Sequence, residues 1–375
     1  MYKLDDSRLR AVKNFHYEWA ERIAKKNISK YLESQSLSTY ERDFYNLLYD
    51  EDLEKVTPAF KKLIIGKPEE LRRFVKLIRV EHEQYNIALQ AHQNVGKKGY
   101  VYEELKGDCG KWYLLGEQFK TCSDLREYIK EVFVRIKKVF NYDAFIKKKT
   151  VVQNPEASTW SGYQLAYQLG ARVCVYCNRN YTVTLQINKS GIVRPQLDHF
   201  YPKSIYPYLS VSLYNLIPAC PTCNANLKLD QVMLNKDFED EYMHPYEDEI
   251  CNQVRFEFSI AGSHDITQYF SKIAPEKMRL KLVGLDINPK FERSADLFKL
   301  EQLYALHREE FADIMNLVNS FSESSLQEVG DLLNLNSYQR HSMKKELVTR
   351  LSTQSPDKKS LGKAINDLLD FLKVN

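Results

Sequence analysis

Two cysteine pairs constrain this chain more than any other feature of its sequence. Cys174 and Cys177 form one C-x-x-C turn, Cys220 and Cys223 form another, and 42 residues separate the two pairs. Each turn can place two thiolates on one side of a tetrahedral Zn²⁺, and two turns complete a closed site without an open coordination position. A redox role is an uneconomical explanation of two pairs. The spacing therefore predicts a structural zinc site that does no chemistry itself.

The other cysteines and the hydropathy of the chain indicate its compartment. The cysteines number seven, an odd count, and the charged N-terminal residues lack the apolar segment of a secretory signal, which argues against a disulfide framework. Cys109, Cys122 and Cys251 have no metal-site spacing and are expected to be ordinary small apolar residues. No stretch has the roughly eighteen apolar residues that a membrane span requires. We therefore expect a soluble, cytoplasmic protein without a membrane partner.

Apolar periodicity predicts helices at both ends of the chain. It is helical over about 7–90, over 120–148 and from about 273 to the C-terminus, with a loop at 94–99. A break at 355–357 precedes a last amphipathic helix. That helix carries Leu361, Ile365, Leu368, Leu369 and Leu372. Between the helical regions, β-rich segments at 181–187 and 192–200 flank a turn signal at 188–191 and predict a hairpin. A short helix over 224–234 and a strand over 253–260 follow.

These patterns predict an α+β fold that is mainly α. A length of 375 residues favours two or three domains. We expect an N-terminal helical region at 1–170 that serves as a docking surface. A small core with the cysteine site and the following strand occupies 171–262, and a C-terminal helical region occupies 263–375.

Positive charge is concentrated around the cysteine pairs. The whole chain has a net charge of +4, and residues 171–230 contain six Lys or Arg against two acidic residues, so the remaining 315 residues sum to zero. A local excess of this kind is typical of a nucleic-acid surface. Chance clustering explains it about as well.

The segment around the cysteine pairs also carries polar motifs. The sequence reads QLDHFYPKS at 196–204, NLIP at 215–218 and CNANLK at 223–228. This run resembles the HNH branch of the ββα-metal nucleases, whose pattern is C-x-x-C, D-H-x-x-P-x-S, N-L and then C-x-x-C-N with a nearby Lys. It is also similar to the PtuB-like HNH subunit of ATPase-partnered bacterial anti-phage systems such as Septu. The resemblance covers about 75 residues, a fifth of the chain.

The resemblance implies a role for each motif residue. His199 is the general base, Asp198 and Asn224 are ligands of a catalytic Mg²⁺ or Mn²⁺, and Asn215 orients His199. These residue types suit phosphodiester hydrolysis, which needs an activated water and a hard divalent ion. Asn226 is an alternative to Asn224, which is favoured because it directly follows the second cysteine pair. Since adjacent residues of a regular strand point to opposite faces, Asp198 and His199 can share a site only where the strand twists or ends.

Four other residues each have two interpretations. Lys203 and Lys228 can contact phosphate or lie on a solvated surface. Arg179 can contact phosphate or have a structural role. His244 can support the site from behind or simply pack.

The function that we expect is a metal-dependent HNH endonuclease that hydrolyses DNA. The resemblance further implies the effector nuclease of a bacterial anti-phage system, acting on phage or other invading DNA. Because the chain lacks a G-x-x-x-x-G-K-[ST] phosphate loop, any ATPase partner has to be a separate subunit. The alternatives are a non-catalytic zinc module that binds DNA or protein and an RNA-directed HNH nuclease. The Asp-His pair favours a nuclease, and a homo-oligomer is left open.

Overall fold

The computed structural model describes most of the chain. It covers residues 2–34, 37–248, 254–261, 272–284, 288–320 and 358–372, with short pieces at 327–328, 331–333, 336, 339, 346 and 350–352. Helices make up 53% of the structure, and the strands pair in two-stranded antiparallel sheets. A mainly helical fold with small β elements is therefore confirmed. In the described part of the chain, no helix combines the length and apolar character needed to cross a membrane.

Helices α1 to α8 form the N-terminal part. Side chains fix several helix starts: Asp5 accepts a hydrogen bond from the N–H of Ser7 before the helix that begins at Asp6, and Thr121 and Asp124 form a reciprocal capping box before the helix that begins at Cys122. The helices predicted over 7–90 and 120–148 are confirmed. Their bounds are α1 Asp6–Leu32, α2 Thr39–Leu48, α3 Pro58–Ile65, α4 Pro68–Glu81, α5 Glu83–Ala91, α6 Cys122–Phe140, α7 Tyr142–Lys147 and α8 Gly162–Leu169. Two small sheets pair β1 Tyr49–Asp50 with β2 Lys55–Val56, and β3 Trp112–Leu114 with β4 Glu117–Phe119.

The central part contains two separate strand pairs and a short helix. β5 (Leu185–Ile187) pairs with β6 (Ser190–Val193) across Asn188 and Lys189, whose φ angles of 48° and 64° suit a two-residue type I′ turn. β7 (Gln196–His199) pairs with β8 (Leu216–Ala219). A π-helix follows at Thr222–Lys228, which we call the knuckle helix. The order β7, β8, knuckle helix is a ββα arrangement.

Two predictions in this part are wrong in detail. The segment 192–200 does not form one hairpin strand, because residues 190–193 pair with β5 whereas residues 196–199 pair with β8. Pro195 lies between them and has no N–H to donate, so one ladder cannot run through it. The helix predicted over 224–234 ends earlier, at Lys228, because Leu229 has a positive φ of 50°.

The C-terminal part contains a hairpin packed on helices. β9 (Val254–Ile260) confirms the predicted strand, but the helix predicted from 273 is wrong at its start, because β10 (Met278–Gly284) pairs with β9. The last predicted helix is confirmed as α12. The helices are α9 Pro289–Leu297, α10 Leu300–Ala305, α11 Arg308–Ser320 and α12 Gly362–Phe371. Cys251, residue 253 and the break predicted at 355–357 lie outside the described residues.

One hydrophobic core joins the N-terminal helices to the central part. It includes Leu9, Phe44 and Ile129 from the helices together with Phe200 and Leu216 from the central part. A second cluster packs the β9–β10 hairpin against α11 and α12. Packing is thus continuous across the boundary predicted near residue 170, and the division into three regions stays a prediction.

Candidate functional site

The four paired cysteines come together in the folded chain. Cys174, Cys177, Cys220 and Cys223 are all buried, and their sulfur atoms lie within 4.8 Å of one another. Zn–S bonds of about 2.3 Å at tetrahedral angles would separate the sulfur atoms by about 3.8 Å. The sulfur atoms of Cys177 and Cys220 are 4.0 Å apart. The cluster can therefore bind a metal ion such as zinc.

Backbone hydrogen bonds shape both cysteine turns. In the first, the N–H of Asn178 donates to the Cys174 carbonyl at 2.8 Å, and Asn178 has a φ of 51°, a conformation that asparagine tolerates. In the second, the N–H of Asn224 donates to the Cys220 carbonyl at 3.0 Å. The N–H of Cys220 points at the Cys174 sulfur, 3.3 Å away. Such a donor stabilises the negative charge of a thiolate.

The thiols influence one another's ionisation. Burial raises the pKa of Cys174 well above its ordinary value, whereas a hydrogen bond with Cys174 lowers the pKa of Cys177 to about 7. Four buried thiolates cannot coexist without a counter-charge. A bound metal ion supplies that charge and displaces the thiol protons.

A cavity of about 280 Å³ opens at the end of β7, and we call it the Asp198 cavity. Because β7 ends at His199, the adjacent residues Asp198 and His199 can both border it. Asn224, at the start of the knuckle helix, and Lys203 border it too. The structure thus brings four of the predicted site residues to one space. The full lining is Tyr142, Ile146, Arg194, Gln196, Leu197, Asp198, His199, Pro202, Lys203, Asn224, Leu229 and Asp230.

Asp198 is held between two donors. The Tyr176 hydroxyl donates to Oδ2 at 2.5 Å, and the Lys228 ammonium lies 3.2 Å from Oδ1. Lys228 also donates to the His199 carbonyl at 2.7 Å, and its side chain is fully buried. The solvated-surface interpretation of Lys228 is therefore wrong. A phosphate contact by Lys228 stays a prediction, and it competes with Asp198 for the ammonium.

His199 is held as a neutral ring with a defined tautomer. Its Nε2 lies 2.8 Å from the Ser210 carbonyl. A carbonyl only accepts, so Nε2 carries the proton and Nδ1 keeps a lone pair. Burial, together with Lys203 and Lys228, lowers the pKa of His199 to about 3, so the ring is neutral near pH 7. The ring of Tyr142 packs edge-on against it at 4.5 Å.

Asn215 braces the loop between β7 and β8. Its Nδ2 donates to the carbonyls of Tyr201 and Leu209, both at 3.0 Å, and its Oδ1 accepts from the Tyr201 N–H at 2.7 Å. Leu209 directly precedes Ser210, which holds the His199 ring. Asn215 therefore acts on His199 through the loop rather than by direct contact.

The two candidate amide ligands differ in position. The Nδ2 of Asn224 donates to Oε1 of Gln196 at 2.8 Å, and Asn224 borders the Asp198 cavity. Asn226 is exposed on the knuckle helix and is not part of the cavity lining. The position of Asn224 directly after the cysteine pair thus places it on the cavity, as the motif pattern favoured.

Of the remaining predicted basic residues, Lys203 lies at the cavity and Arg179 does not. The Lys203 ammonium is 4.4 Å from the centre of the Tyr142 ring, and its partial desolvation there lowers the pKa of Lys203. Arg179 donates from Nε to Nε2 of His307 at 2.7 Å and so faces the C-terminal helices. Its position corresponds to the structural interpretation, not to a phosphate contact in this cavity.

His244 is buried behind the site. Its ring packs on Phe200, with the ring centres 4.2 Å apart, and its Nδ1 accepts a hydrogen bond from the N–H of Tyr246 at 3.2 Å. Since Phe200 follows His199 in the chain, His244 supports the base of the loop by packing. This corresponds to the packing or support role expected for it.

Sequence reasoning missed the four other polar residues of the cavity wall: Tyr142, Arg194, Gln196 and Asp230. Gln196 had a usable signal, because it lies two positions before Asp198 and thus on the same face of β7. Tyr142 comes from α7, and no local pattern connects it with a motif more than fifty residues later.

Two residues on the cavity, Asp198 and Asn224, carry oxygen atoms of the kind that bind hard divalent ions. Carboxylate and amide oxygens are ligands that Mg²⁺ and Mn²⁺ prefer. Each oxygen of Asp198 accepts one hydrogen bond and keeps another lone pair. The Asn224 amide donates through its nitrogen, which leaves its oxygen for an ion.

No protein-family model, curated protein or solved structure matches this chain.

Proposed function

We propose that this chain is a metal-dependent HNH endonuclease that hydrolyses phosphodiester bonds of DNA. One observation carries the proposal: Asp198, His199 and Asn224 border a single cavity, and Asn224 directly follows a member of the buried cysteine cluster. Their placement on β7 and the knuckle helix corresponds to the ββα pattern of the resemblance. A carboxylate, a neutral imidazole and an amide oxygen are the groups that one-metal hydrolysis requires.

His199 is the general base in this proposal. Its Nδ1 takes the proton of the attacking water, because Nε2 is committed to the Ser210 carbonyl. Asn215 keeps the loop that carries Ser210 in place. Asp198 and Asn224 would hold a Mg²⁺ or Mn²⁺ ion, which would neutralise the negative charge that develops during hydrolysis. Lys203 on the cavity wall contributes a further positive charge.

The cysteine cluster is the structural zinc site of the proposed enzyme. A closed four-cysteine site has no position for water or substrate, so its role is to hold the scaffold. It ties the turn at Cys174 to the knuckle helix, which carries Asn224 next to Cys223. Zinc binding thereby fixes Asn224 opposite β7 and stabilises a segment with a small core of its own.

The biological setting follows from the resemblance alone. The similarity to PtuB-like subunits supports a cytoplasmic effector nuclease of bacterial anti-phage defence that works with a separate ATPase subunit. RNA is the alternative substrate, because the chemistry of hydrolysis is the same. A non-catalytic zinc module is the other alternative, and it would share the cysteine cluster. Such a module does not require a general base beside a carboxylate on one cavity, so these two residues favour a nuclease.

Cleavage of plasmid DNA and of labelled RNA by the purified full chain tests the proposal. We expect cutting of DNA with Mg²⁺ or Mn²⁺ and none with EDTA. Asp198→Asn and Asn224→Ala should both lose cutting at unchanged zinc content. Asn226→Ala is the matched control on the exposed face of the same helix, and it should cut like the wild type. If the wild type binds DNA with Zn²⁺ and Mg²⁺ present but cuts it neither alone nor with a candidate ATPase partner, the chain is a binding module.

A further inference from the structure

A second chamber adjoins the Asp198 cavity. It has a volume of about 270 Å³ and lies between α6 and the loop that follows β7, and we call it the α6 chamber. Tyr142, Lys203 and Asp230 line both spaces, so the two are direct neighbours. Ser210, whose carbonyl holds the His199 ring, also borders the α6 chamber. A group bound there therefore lies next to the proposed reaction site.

A stacked pair of aromatic rings and an unpaired hydroxyl border the α6 chamber. The rings of His92 and Phe133 stack on each other with centres 3.5 Å apart and planes 5° apart. The volume is below the roughly 300–1,000 Å³ of pockets that enclose drug-sized ligands. Ser204 borders the chamber, and its buried hydroxyl has no hydrogen-bond partner among the described residues. An unpaired buried hydroxyl is unfavourable, and the polar edge of a bound ring can supply its partner.

The charged side chains that line the two spaces favour different parts of a nucleotide. Two lysines and two aspartates line the α6 chamber, so their formal charges cancel. In the Asp198 cavity, Lys228 already pairs with Asp198, which leaves Arg194 and Lys203 against Asp230. An anionic phosphate therefore favours the Asp198 cavity, whereas a neutral ring fits the α6 chamber.

We propose that the α6 chamber binds an unpaired nucleobase of the strand whose phosphate lies in the Asp198 cavity. Tyr142 forms the connection, because its ring packs against His199 on one side and lies under the Lys203 ammonium. A base and its phosphate belong to one nucleotide, so two adjoining spaces can hold them together. This inference rests on the proposed nuclease function and names the substrate class of the same site.

If the α6 chamber binds a nucleobase, the substrate must offer a base that is not paired in a duplex. A paired base is stacked between its neighbours, and it can enter a chamber only from a single strand or after it rotates out of the helix. Since α6 supplies Phe133, the N-terminal helical region contributes to substrate binding as well as to the fold.

Oligonucleotide binding tests this inference separately from cleavage, because it can be measured by fluorescence anisotropy without added Mg²⁺ or Mn²⁺. We expect the zinc-loaded full chain to bind single-stranded DNA more tightly than the blunt duplex, with RNA of the same sequence as a third arm. His92→Ala removes one ring, and Phe133→Leu keeps the apolar volume without an aromatic face. Because the two rings stack on each other, one base can stack on the outer face of only one of them. The variant that loses that ring should weaken single-strand binding about tenfold, since stacking contributes about 1–3 kcal/mol per base. His82→Ala, a partly buried histidine at the other end of α5 and beside Phe44, is the matched control.

Strands with one abasic nucleotide at each position in turn locate the bound base. The wild type should lose about tenfold in affinity at one position, and the weaker-binding of the two variants should lose little more there. The inference is overturned if the wild type does not prefer single strands, or if both variants bind every strand as the wild type does. Loss of affinity in the variants supports the chamber even where no cutting is seen, and in that case only the nuclease function fails.

Discussion

Asp198 has two partners in the folded chain, and one of them is a cation. Lys228 neutralises its carboxylate, and the side chains of the pair are 0% and 3% exposed. Removing one partner of a buried ion pair leaves an uncompensated charge, which costs about 3–5 kcal/mol. The same carboxylate must accept a divalent ion in the proposed enzyme. Charge balance at Asp198 therefore links stability to ion binding.

Lys228→Met should reveal this link. We expect the free energy of unfolding to fall by about 3 kcal/mol in the absence of divalent ions. Mg²⁺ should restore part of the loss, because the ion replaces the missing charge beside Asp198. Urea unfolding with and without Mg²⁺ measures both effects. The double variant with Asp198→Asn should recover most of the stability and respond little to Mg²⁺. An identical Mg²⁺ response in the wild type and in Lys228→Met would contradict this account.

A second residue-scale prediction concerns His16, which is buried between the N-terminal and central parts. Trp160 Nε1 donates to its Nδ1 at 3.0 Å, and its Nε2 donates to the Val211 carbonyl at 2.6 Å. Burial lowers the pKa of His16 from 6.5 to about 4. As the pH falls, His16 therefore takes up a proton in the unfolded chain before it does so in the folded chain. The contribution of His16 to the free energy of unfolding is complete above about pH 6.5 and is lost between about pH 6.5 and 4.

The size of the His16 effect should be about 3 kcal/mol, at about 1.4 kcal/mol per unit of pKa. His16→Gln removes the titrating ring and should flatten this part of the stability curve. Denaturant unfolding of both proteins between pH 8 and pH 4 gives the comparison. Parallel curves over that range would rule out His16 as a source of acid sensitivity.

At the scale of residues, sequence reasoning worked where chemistry and chain position coincide. Asp198, His199 and Asn224 reach one cavity because the motif itself defines the end of β7 and the start of the knuckle helix. Sequence reasoning failed where the interaction partner of a residue lies far away in the chain. Lys228 is buried because of Asp198, 30 residues earlier, and Arg179 pairs with His307, 128 residues later. No local sequence pattern predicts such long-range pairs.

At the scale of elements, the first cysteine turn is the attachment point of the C-terminal helices. The Tyr304 hydroxyl of α10 donates to the Cys177 carbonyl at 2.8 Å. Just before α12, the N–H of Leu361 donates to the Asn178 carbonyl at 2.8 Å, and the Ser360 hydroxyl donates to the Arg179 carbonyl. The conformation of the turn therefore determines where α10 and α12 can bind.

Removing the metal from the cysteine cluster should loosen these helices. We expect hydrogen exchange to rise in the two cysteine turns and in α12, because the carbonyls that hold α12 belong to the first turn. Helix α4 packs on α3 and α5 and should keep its protection. Hydrogen–deuterium exchange of the zinc-loaded protein before and after chelation measures this pattern. An increase confined to the cysteine turns would show that α12 is held by other contacts.

Helices were easier to predict than strand pairing. The start of α6 is set by the local pair Thr121 and Asp124, which sequence alone displays. Strands depend on partners elsewhere in the chain, which local patterns do not show. The β-rich segment that contains Pro195 therefore looked like one strand, although β6 and β7 pair with different strands. From Met278 to Leu282, β10 alternates apolar and charged residues, a period of two that is typical of a strand. Its pairing with β9 over the whole of its length stabilises the strand over a helix.

At the scale of the whole molecule, the N-terminal helices and the central part share one hydrophobic core. We therefore expect them to unfold together. The three tryptophans, Trp19, Trp112 and Trp160, all lie in the N-terminal part, and a bound metal at the cysteines would report on the central part. Tryptophan fluorescence and metal release to a coloured chelator should give the same midpoint in denaturant. Metal release at a clearly lower denaturant concentration would show that the central part unfolds independently.

The measurement that tests the central claim most directly is the rate at which His199→Ala cleaves DNA in a single turnover with saturating Mg²⁺. A general base contributes about 100-fold to 10,000-fold, so we expect a loss of at least about 100-fold, with zinc content and DNA affinity unchanged. His307→Ala, which alters a histidine outside the Asp198 cavity, should cut at the wild-type rate. Cutting by His199→Ala at the wild-type rate would contradict the assignment of His199 as the base.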